Sequence, residues 1–337
     1  MNTYINTNEN KLIDTHISLV VDMYGCPNRC KHCWLGTLPN NKMPDGIDEH
    51  IVNLFKSRFR NVTFYGWLRE PDFCNNYRQR WSKDNDLSSV KPQRFELASF
   101  WRIVRDESYI NFLKEVGVTK VQLTFFGMKG MTDKYVGRVG AFEELLKASD
   151  LLSQNGILPR WQLFINQENK EEIVDLLLLA KSKNIQEIFV HAGSCDGNNR
   201  NLYDIRINKN CIPTEVIPYY WDYEHILSEK ECCQLLKDDM SHFIPDADEL
   251  VINVTSDLNL YFNYTGIGPK WLIGNIYKDS FEQIVERILS KDIQAIKVAK
   301  QVTVKQLVER FGDFQSYKVF SLDDYKMYLL NRALEEN

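Results

Sequence analysis

The chain has 337 residues, enough for one large domain or two ordinary ones, and its net charge of −5 indicates no general attraction to nucleic acid or to an anionic membrane surface. The N-terminal residues lack the basic start and apolar run of a secretory signal, and the longest apolar stretches are far too short to span a bilayer. We therefore expect a cytoplasmic protein. In that reducing compartment, eight cysteines indicate metal binding or redox chemistry rather than disulfides.

Apolar strands alternate with helices along the first part of the chain. Predicted strands, rich in β-branched and aromatic residues, are 17–21, 61–65, 94–99, 120–126, 158–165 and 187–191. The helices predicted around them include 101–116, 141–155 and 170–183, while a long polar loop is expected after the second strand. This order predicts an α/β fold with a parallel sheet, closed as a partial (β/α)6 barrel.

The chain changes character after this repeated unit. Segments 250–255 and 258–264 flank the turn residues Ser256 and Asp257, which predicts a hairpin, and predicted helices follow it. We therefore expect a core domain of residues 1–192 and a smaller α+β C-terminal extension of residues 193–337.

Three cysteines crowd into a short loop directly after the first predicted strand. Cys26, Cys30 and Cys33 have the spacing Cys-x3-Cys-x2-Cys, so their thiolates can bind three irons of a [4Fe-4S] cluster and leave the fourth open. Chemistry in barrel-like α/β proteins lies at the C-terminal ends of the strands, where this loop begins. The alternatives are buried thiols or a structural zinc site, which needs four ligands and finds only His32 as a fourth.

The loop from Gly25 to Cys33 resembles the signature of the radical AdoMet superfamily, with His32 where that family usually has an aromatic residue. The resemblance implies that Cys26, Cys30 and Cys33 bind the [4Fe-4S] cluster and that S-adenosyl-L-methionine (AdoMet) binds its open iron. An electron from a donor such as flavodoxin or ferredoxin would then cleave AdoMet to methionine and a 5′-deoxyadenosyl radical. That radical would abstract a hydrogen atom from the substrate.

The family also carries a Gly-Gly-Glu-Pro-like turn after its second strand, where it meets the amino group of AdoMet. Gly66, Glu70 and Pro71 stand in the matching place here, separated by extra residues. The resemblance implies AdoMet contacts for Gly66 and Glu70, while an ordinary polar loop is the alternative for Glu70. Ser99 is a candidate contact for the ribose or carboxylate of AdoMet, or else the N-cap of the next helix.

Polar residues on later strands are further candidates. Alternation places Arg160 and Gln162 on one face of the fifth strand, where they could contact AdoMet or substrate. The alternative for Arg160 is a salt bridge at the start of the strand. His191 and Cys195 end the sixth strand and are candidates for a catalytic role, against a structural histidine and an inert thiol.

Two further segments bear on the substrate. The loop of Asp133 and Arg138 resembles one in peptide-modifying radical AdoMet enzymes, and these two side chains could bind each other or a substrate. Segments 258–262 and 273–276 resemble the SPASM or twitch extension, but no cysteine follows Cys233, so the usual auxiliary-cluster ligands are missing. The resemblance implies a peptide or peptide-like substrate. A small-metabolite substrate and a non-enzymatic zinc or iron–sulfur module remain alternatives, while the acidic balance disfavours nucleic acid.

Overall fold

The computed structural model describes residues 12–195, 197–245, 250–264 and 267–336, and these form a mixed α/β fold with parallel sheets. The strands are β1 Ile13–Val21, β2 Phe59–Tyr65, β3 Lys120–Phe125, β4 Leu158–Phe164, β5 Glu187–His191, β6 Leu227–Ser228, β7 Leu250–Val254, β8 Asn259–Phe262, β9 Leu272–Asn275 and β10 Val319–Phe320. No helix among the described residues has the length and apolar character needed to cross a membrane.

The α-helices mostly connect and cover these strands. They are α1 Ile47–Lys56, α2 Tyr77–Leu87, α3 Phe100–Ile103, α4 Tyr109–Glu115, α5 Lys129–Val136, α6 Ala141–Gln154, α7 Lys170–Ser182, α8 Glu229–Leu236, α9 Phe281–Ser290, α10 Gln294–Ala299, α11 Val304–Phe311 and α12 Leu322–Glu336.

The first sheet joins the two ends of the chain. Its strand order is β2-β1-β7-β8-β9, with β1 parallel to both β2 and β7. The predicted hairpin is confirmed, because β7 and β8 pair antiparallel. Alternate β1 residues, Ile17, Leu19 and Val21, are fully buried in a hydrophobic core that they share with the C-terminal helices. The opposite face of β1 carries His16, Ser18 and Val20.

A second sheet has its own core. Strands β3, β4 and β5 pair in parallel and in that order, and their apolar faces pack with helices α4, α6 and α7. Strands β6 and β10 form a separate antiparallel pair. The loops after β1 and β2 contain the three cysteines, Gly66 and Glu70. Arg160 and Gln162 lie within β4, and β5 ends at His191.

The prediction of a strand at 94–99 is wrong, since this segment has no regular ladder. One backbone hydrogen bond, from Gln122 N to Glu96 O at 2.8 Å, links it to β3. The segment is held by side chains instead: Arg94 forms a 2.6 Å ion pair with Asp72. Phe95 and Leu97, taken as strand residues, are 50% and 41% exposed, so the burial that a central strand requires does not occur.

Two helix predictions also need correction. The predicted helix 101–116 is broken into α3 and α4, because Asp106 accepts hydrogen bonds from the Ser108 amide and hydroxyl and turns the chain between them. The predicted polar loop after β2 contains α2. Its buried face includes Arg80 and Asp84, an ion pair, so the apolar periodicity that would announce a helix is absent.

Candidate functional site

The cysteine loop leaves β1 and lies against the end of α5. The amide of Arg29 donates to Val136 O at 2.9 Å, and the amide of Lys31 donates to Tyr135 O at 2.8 Å. Gly137 makes this approach possible: its φ is +71°, and a Cβ there would lie 2.6 Å from Arg29 O. The backbone of the loop is thus fixed by a neighbouring helix rather than by its own side chains alone.

Arg69 holds both ends of the loop. Its Nη2 lies 2.7 Å from Asp22 Oδ2, immediately after β1, and both side chains are buried. The same guanidinium donates to Leu38 O at 3.1 Å and to Pro39 O at 2.9 Å. Charge-assisted bonds of this kind fix geometry as well as adding energy.

Asn40 clamps the first cysteine. Its side-chain oxygen accepts from Cys26 N at 3.2 Å, and its Nδ2 donates to Cys26 O at 2.7 Å. Gly25 has a φ of +83°, and a Cβ there would lie 2.5 Å from Asn40 Oδ1. Asn40 and Gly25 therefore form one unit that sets the direction of Cys26.

The three cysteines line one cavity of about 220 Å³, together with Asn28, His32, Arg69 and Glu70 among others. Burial raises the pKa of the Cys26 thiol to about 12, and burial also raises the pKa of the Cys30 and Cys33 thiols. For Cys30, burial is the largest cause, and the thiolates of Cys26 and Cys33 would raise its pKa further. A bound cation reverses this balance, because a coordinating thiol is deprotonated.

The donor set fits a cluster better than a single ion. Within the described residues, no group of three or more His, Cys, Asp or Glu side chains is arranged around one metal ion. A cubane cluster makes a different demand, since each of its irons is held separately by a thiolate. His32 packs its ring on Phe126, with centroids 4.4 Å apart, and burial lowers its pKa to about 4. The ring is therefore neutral, and its Nδ1 is buried without a partner in the part of the chain that the structure describes.

Glu70 and Ser99 meet beside the cysteines. The Ser99 hydroxyl donates to Glu70 Oε1 at 2.5 Å and accepts from the Arg102 amide at 3.2 Å. The predicted N-cap role of Ser99 is thus present at the start of α3, and the same hydroxyl orients Glu70. Burial raises the pKa of the Glu70 carboxyl to about 7, so this acid can exchange a proton near neutrality.

No protein-family model matches the chain, and no curated protein matches it in sequence. Among solved structures, it is similar to native anSMEcpe with bound AdoMet, at a TM-score of 0.52 and 14% identity, over 95% of this chain and 100% of that one. Native anSMEcpe with bound AdoMet and Cp18Cys peptide gives a TM-score of 0.52 and 14% identity, over 95% and 99%. Streptococcus suis SuiB bound to precursor peptide SuiA gives 0.46 and 13%, over 74% of this chain and 60% of that one.

The likeness to anSMEcpe, a radical AdoMet enzyme, extends over almost the whole chain and concerns the fold. This chain has the radical AdoMet fold.

In this radical AdoMet fold, Gly66 packs behind the turn that follows β2. Its amide donates to Asp84 Oδ2 at 2.9 Å, and a Cβ would lie 2.8 Å from Arg80 Nε. A glycine is therefore needed here for close packing against a buried ion-pair network. Gly66 does not belong to the described residues that line the cysteine cavity, whereas Glu70 does.

Arg160 and Gln162 belong to a polar ladder across β3, β4 and β5 of the radical AdoMet fold. Arg160 forms a 2.5 Å ion pair with Glu96 and donates to Gln122 at 2.8 Å, which is the salt-bridge alternative predicted for it. Gln162 Oε1 accepts from Thr124 at 2.9 Å, while its Nε2 contacts His191 Nε2.

Among the described residues, His191 and Cys195 are not in the lining of the cavity that holds the three cysteines. His191 Nδ1 accepts from Gly193 N at 3.0 Å, and burial, with a smaller effect of Arg206, lowers the pKa of its imidazole to about 4. It is therefore neutral at physiological pH. Cys195 is fully buried in the core of the first sheet.

The Arg138 amide donates to Asp133 O at 3.1 Å, while the two side chains hold different partners. Asp133 accepts from the amides of Gly140 and Phe142 at 2.7 and 2.9 Å and so caps the start of α6. Arg138 Nε donates to Asn28 Oδ1 at 3.0 Å, next to Cys26 in the loop.

The residues that fix the cysteine loop were missed in the sequence. Asn40 and Cys26 are 14 positions apart, and Arg69 and Asp22 are 47 apart. No spacing rule links such pairs. The adjacency of Arg69 to Glu70, in the turn expected to meet AdoMet, is the one signal that could have drawn attention to Arg69.

Proposed function

We propose that this protein is a radical AdoMet enzyme in which Cys26, Cys30 and Cys33 bind a [4Fe-4S] cluster. The observation that carries the proposal is the cavity after β1, where these three cysteines lie with Glu70 in a fold shared with an AdoMet-bound radical enzyme. When bound, the cluster supplies the electron that cleaves AdoMet to methionine and a 5′-deoxyadenosyl radical, which takes a hydrogen atom from the substrate.

The chain's own residues would bind and orient AdoMet. Glu70, aligned by Ser99, would accept hydrogen bonds from the amino group. Arg138 offers a buried N–H without a partner among the described residues, suited to a carboxylate. His32, whose ring is neutral, lines the same cavity and would help to shape it for AdoMet. We keep Gly66, Arg160 and Gln162 as positioning residues, because their side chains or amides are engaged in the protein's own hydrogen bonds.

The finer architecture is also a proposal. We place a partial (β/α)6 barrel in residues 1–192, with the irregular segment 94–99 in the position of its third strand. Residues 193–337 would form a SPASM- or twitch-like extension that adds β7 to β1 and shapes the pocket without auxiliary clusters. The reducing cytoplasm suits the reactive thiols of such a protein.

The proposed partners are a peptide or peptide-like substrate and an electron donor such as flavodoxin or ferredoxin. A peptide is favoured because one similar structure is that of anSMEcpe with bound AdoMet and Cp18Cys peptide.

The test is anaerobic. The protein is reconstituted with iron and sulfide, reduced with dithionite, mixed with AdoMet and assayed for 5′-deoxyadenosine. Formation by the wild type, lost in Cys30→Ala and kept in the control Cys211→Ala, is the expected result. Cys211 is matched because it is a partly exposed thiol outside the cavity. Zinc at one atom per chain with no iron–sulfur absorption would favour the binding module instead.

A further inference from the structure

A second cavity, of about 480 Å³, lies beside the cysteine pocket, and Trp34 and Leu68 line both. Its floor is a mixed polar and apolar face of the first sheet, which includes Ser18, Val20 and Val251. Val20 of β1 pairs in register with Tyr65 of β2 and with Asn253 of β7, and all three line the cavity. This row lies at the carboxyl ends of β1 and β2, the ends from which the cysteine loop and the Glu70 turn depart.

One wall of the cavity is aromatic. The ring of Tyr65 lies 6.1 Å from that of Trp67 and 5.5 Å from that of Phe95, and Trp67 meets Phe95 edge-on at 6.5 Å. Phe95 is 50% exposed and its neighbour Leu97 is 41% exposed, although both line the cavity. Aromatic rings that are left partly uncovered around a cavity offer edges and faces to another ring.

The polar groups of the cavity favour a ligand with a hydrogen-bond acceptor over a ligand with a positive charge. The described residues that line it include no Asp or Glu, and its only full positive charge is Lys91. The indole N–H of Trp67 is buried and has no hydrogen-bond partner within the described parts of the chain. Since an indole N–H can only donate, a ligand carbonyl or carboxylate would satisfy it. A buried ammonium or guanidinium would find no counter-charge there.

We propose that this cavity binds an aromatic ring that carries a carbonyl or carboxylate a few atoms away, as an aromatic residue in a peptide does. This inference rests on the proposed function, because it names the substrate group held beside the radical-forming pocket. Phe95 and Trp67 determine the preference: Phe95 stacks on the ligand ring, and Trp67 donates to its acceptor. A lysine or arginine side chain is excluded by the missing counter-charge.

The test measures binding by fluorine NMR, without turnover. The probe is acetyl-Gly-(para-fluorophenylalanine)-Gly-amide, added to reconstituted protein with AdoMet. Unlabelled peptides with Phe, Leu or Lys at the central position compete with it. The Phe peptide is expected to displace the probe at a concentration about tenfold lower than the Leu or Lys peptides do. In Trp67→Phe, which keeps a ring and loses the N–H, the probe should bind about fivefold more weakly.

Phe95→Ala should weaken binding of the probe by about tenfold. Phe95→Leu preserves apolar volume and therefore tests whether the aromatic ring itself is needed. The control Tyr277→Ala removes an exposed aromatic ring outside the lining of this cavity and should have no effect on probe binding. Binding of para-fluorophenylpropanoate as tight as the peptide would identify a free aromatic acid as the source of the ring; weaker binding would identify a peptide.

Equal displacement by the Lys peptide, or unchanged binding in both Trp67→Phe and Phe95→Ala, would overturn the inference. The outcome is separable from the proposed function. A protein that forms 5′-deoxyadenosine but shows no aromatic preference overturns only the cavity assignment. A protein that prefers aromatic rings but forms no 5′-deoxyadenosine overturns only the radical chemistry.

Discussion

Arg69 forms a buried ion pair with Asp22, 2.7 Å between Nη2 and Oδ2, and thereby joins the turn after β2 to the first residue beyond β1. Removing the cation in Arg69→Met leaves Asp22 buried without its charge partner. We expect the free energy of unfolding to fall by about 3–5 kcal/mol, measured by urea denaturation. The control is Arg60→Met, whose partner Asp14 is 73% exposed, with an expected loss under about 1 kcal/mol. Equal losses in the two variants would contradict a structural role for the buried pair.

Glu70 should give the fold a distinct pH dependence. Burial raises the pKa of its carboxyl from 4.5 to about 7, so between these values the folded protein holds a proton that the unfolded chain has released. Stability from this group therefore falls as the pH rises through that window. Glu70→Gln removes the titration, and its free energy of unfolding should decline less between about pH 5 and about pH 7 than that of the wild type. The control is Glu107→Gln, at an exposed position, and all measurements use metal-free protein. If the free energy of unfolding changes equally with pH in the wild type and in both variants, the assignment to Glu70 is refuted.

Asn40 should govern how well the cysteine loop holds iron. Asn40→Ala removes both hydrogen bonds to the Cys26 backbone, at 3.2 and 2.7 Å, from a side chain at the protein surface. Because an exposed hydrogen bond contributes only about 0.5–1.5 kcal/mol, the fold should survive while iron per chain after reconstitution falls. The neighbouring Asn41→Ala is the control, since Asn41 is exposed too. Full iron loading in Asn40→Ala would show that the loop keeps its shape without this clamp.

The sequence predicted an α/β fold with parallel strands, and five of the six strands predicted before residue 192 are present, because buried parallel strands carry strong apolar signals. The strand predicted at 94–99 is wrong because its apolar residues are not buried. Phe95 and Leu97 are typical strand residues, but here they are exposed beside a cavity. Helix α2 was hidden because it buries an ion pair of Arg80 and Asp84 in place of an apolar stripe. Apolar periodicity therefore reveals neither an exposed cavity wall nor a helix that buries an ion pair.

In the candidate site too, residues with a local sequence pattern were predicted and residues brought in from distant positions were not. Cysteine spacing is a local property, so Cys26, Cys30 and Cys33 were found together, and the structure places them in one cavity. Their supports, Asn40 and Arg69, come from distant positions through side-chain geometry. Ser99 shows why a single role is hard to assign from sequence, because one hydroxyl caps α3 and orients Glu70 at the same time.

Arg138 should contribute directly to AdoMet affinity. Its Nε donates to Asn28 and its Nη1 forms a 2.7 Å ion pair with Glu144, while Nη2 is buried and unpartnered among the described residues. If that N–H binds the AdoMet carboxylate, Arg138→Met should weaken AdoMet binding by about tenfold or more, as anaerobic equilibrium dialysis can measure. Arg138→Lys should restore part of the loss, because it keeps the charge but not the planar fork.

Arg105→Met is the matched control for this prediction, since Arg105 binds the same Glu144 from a side chain that is 40% exposed. If both variants lose the same AdoMet affinity, the cause is the weakened contact with Glu144 and a shift of α6, not the N–H of Arg138. A loss confined to Arg138→Met assigns it to Arg138 itself, because each variant leaves one arginine at Glu144 and only Arg138→Met removes the unpartnered N–H.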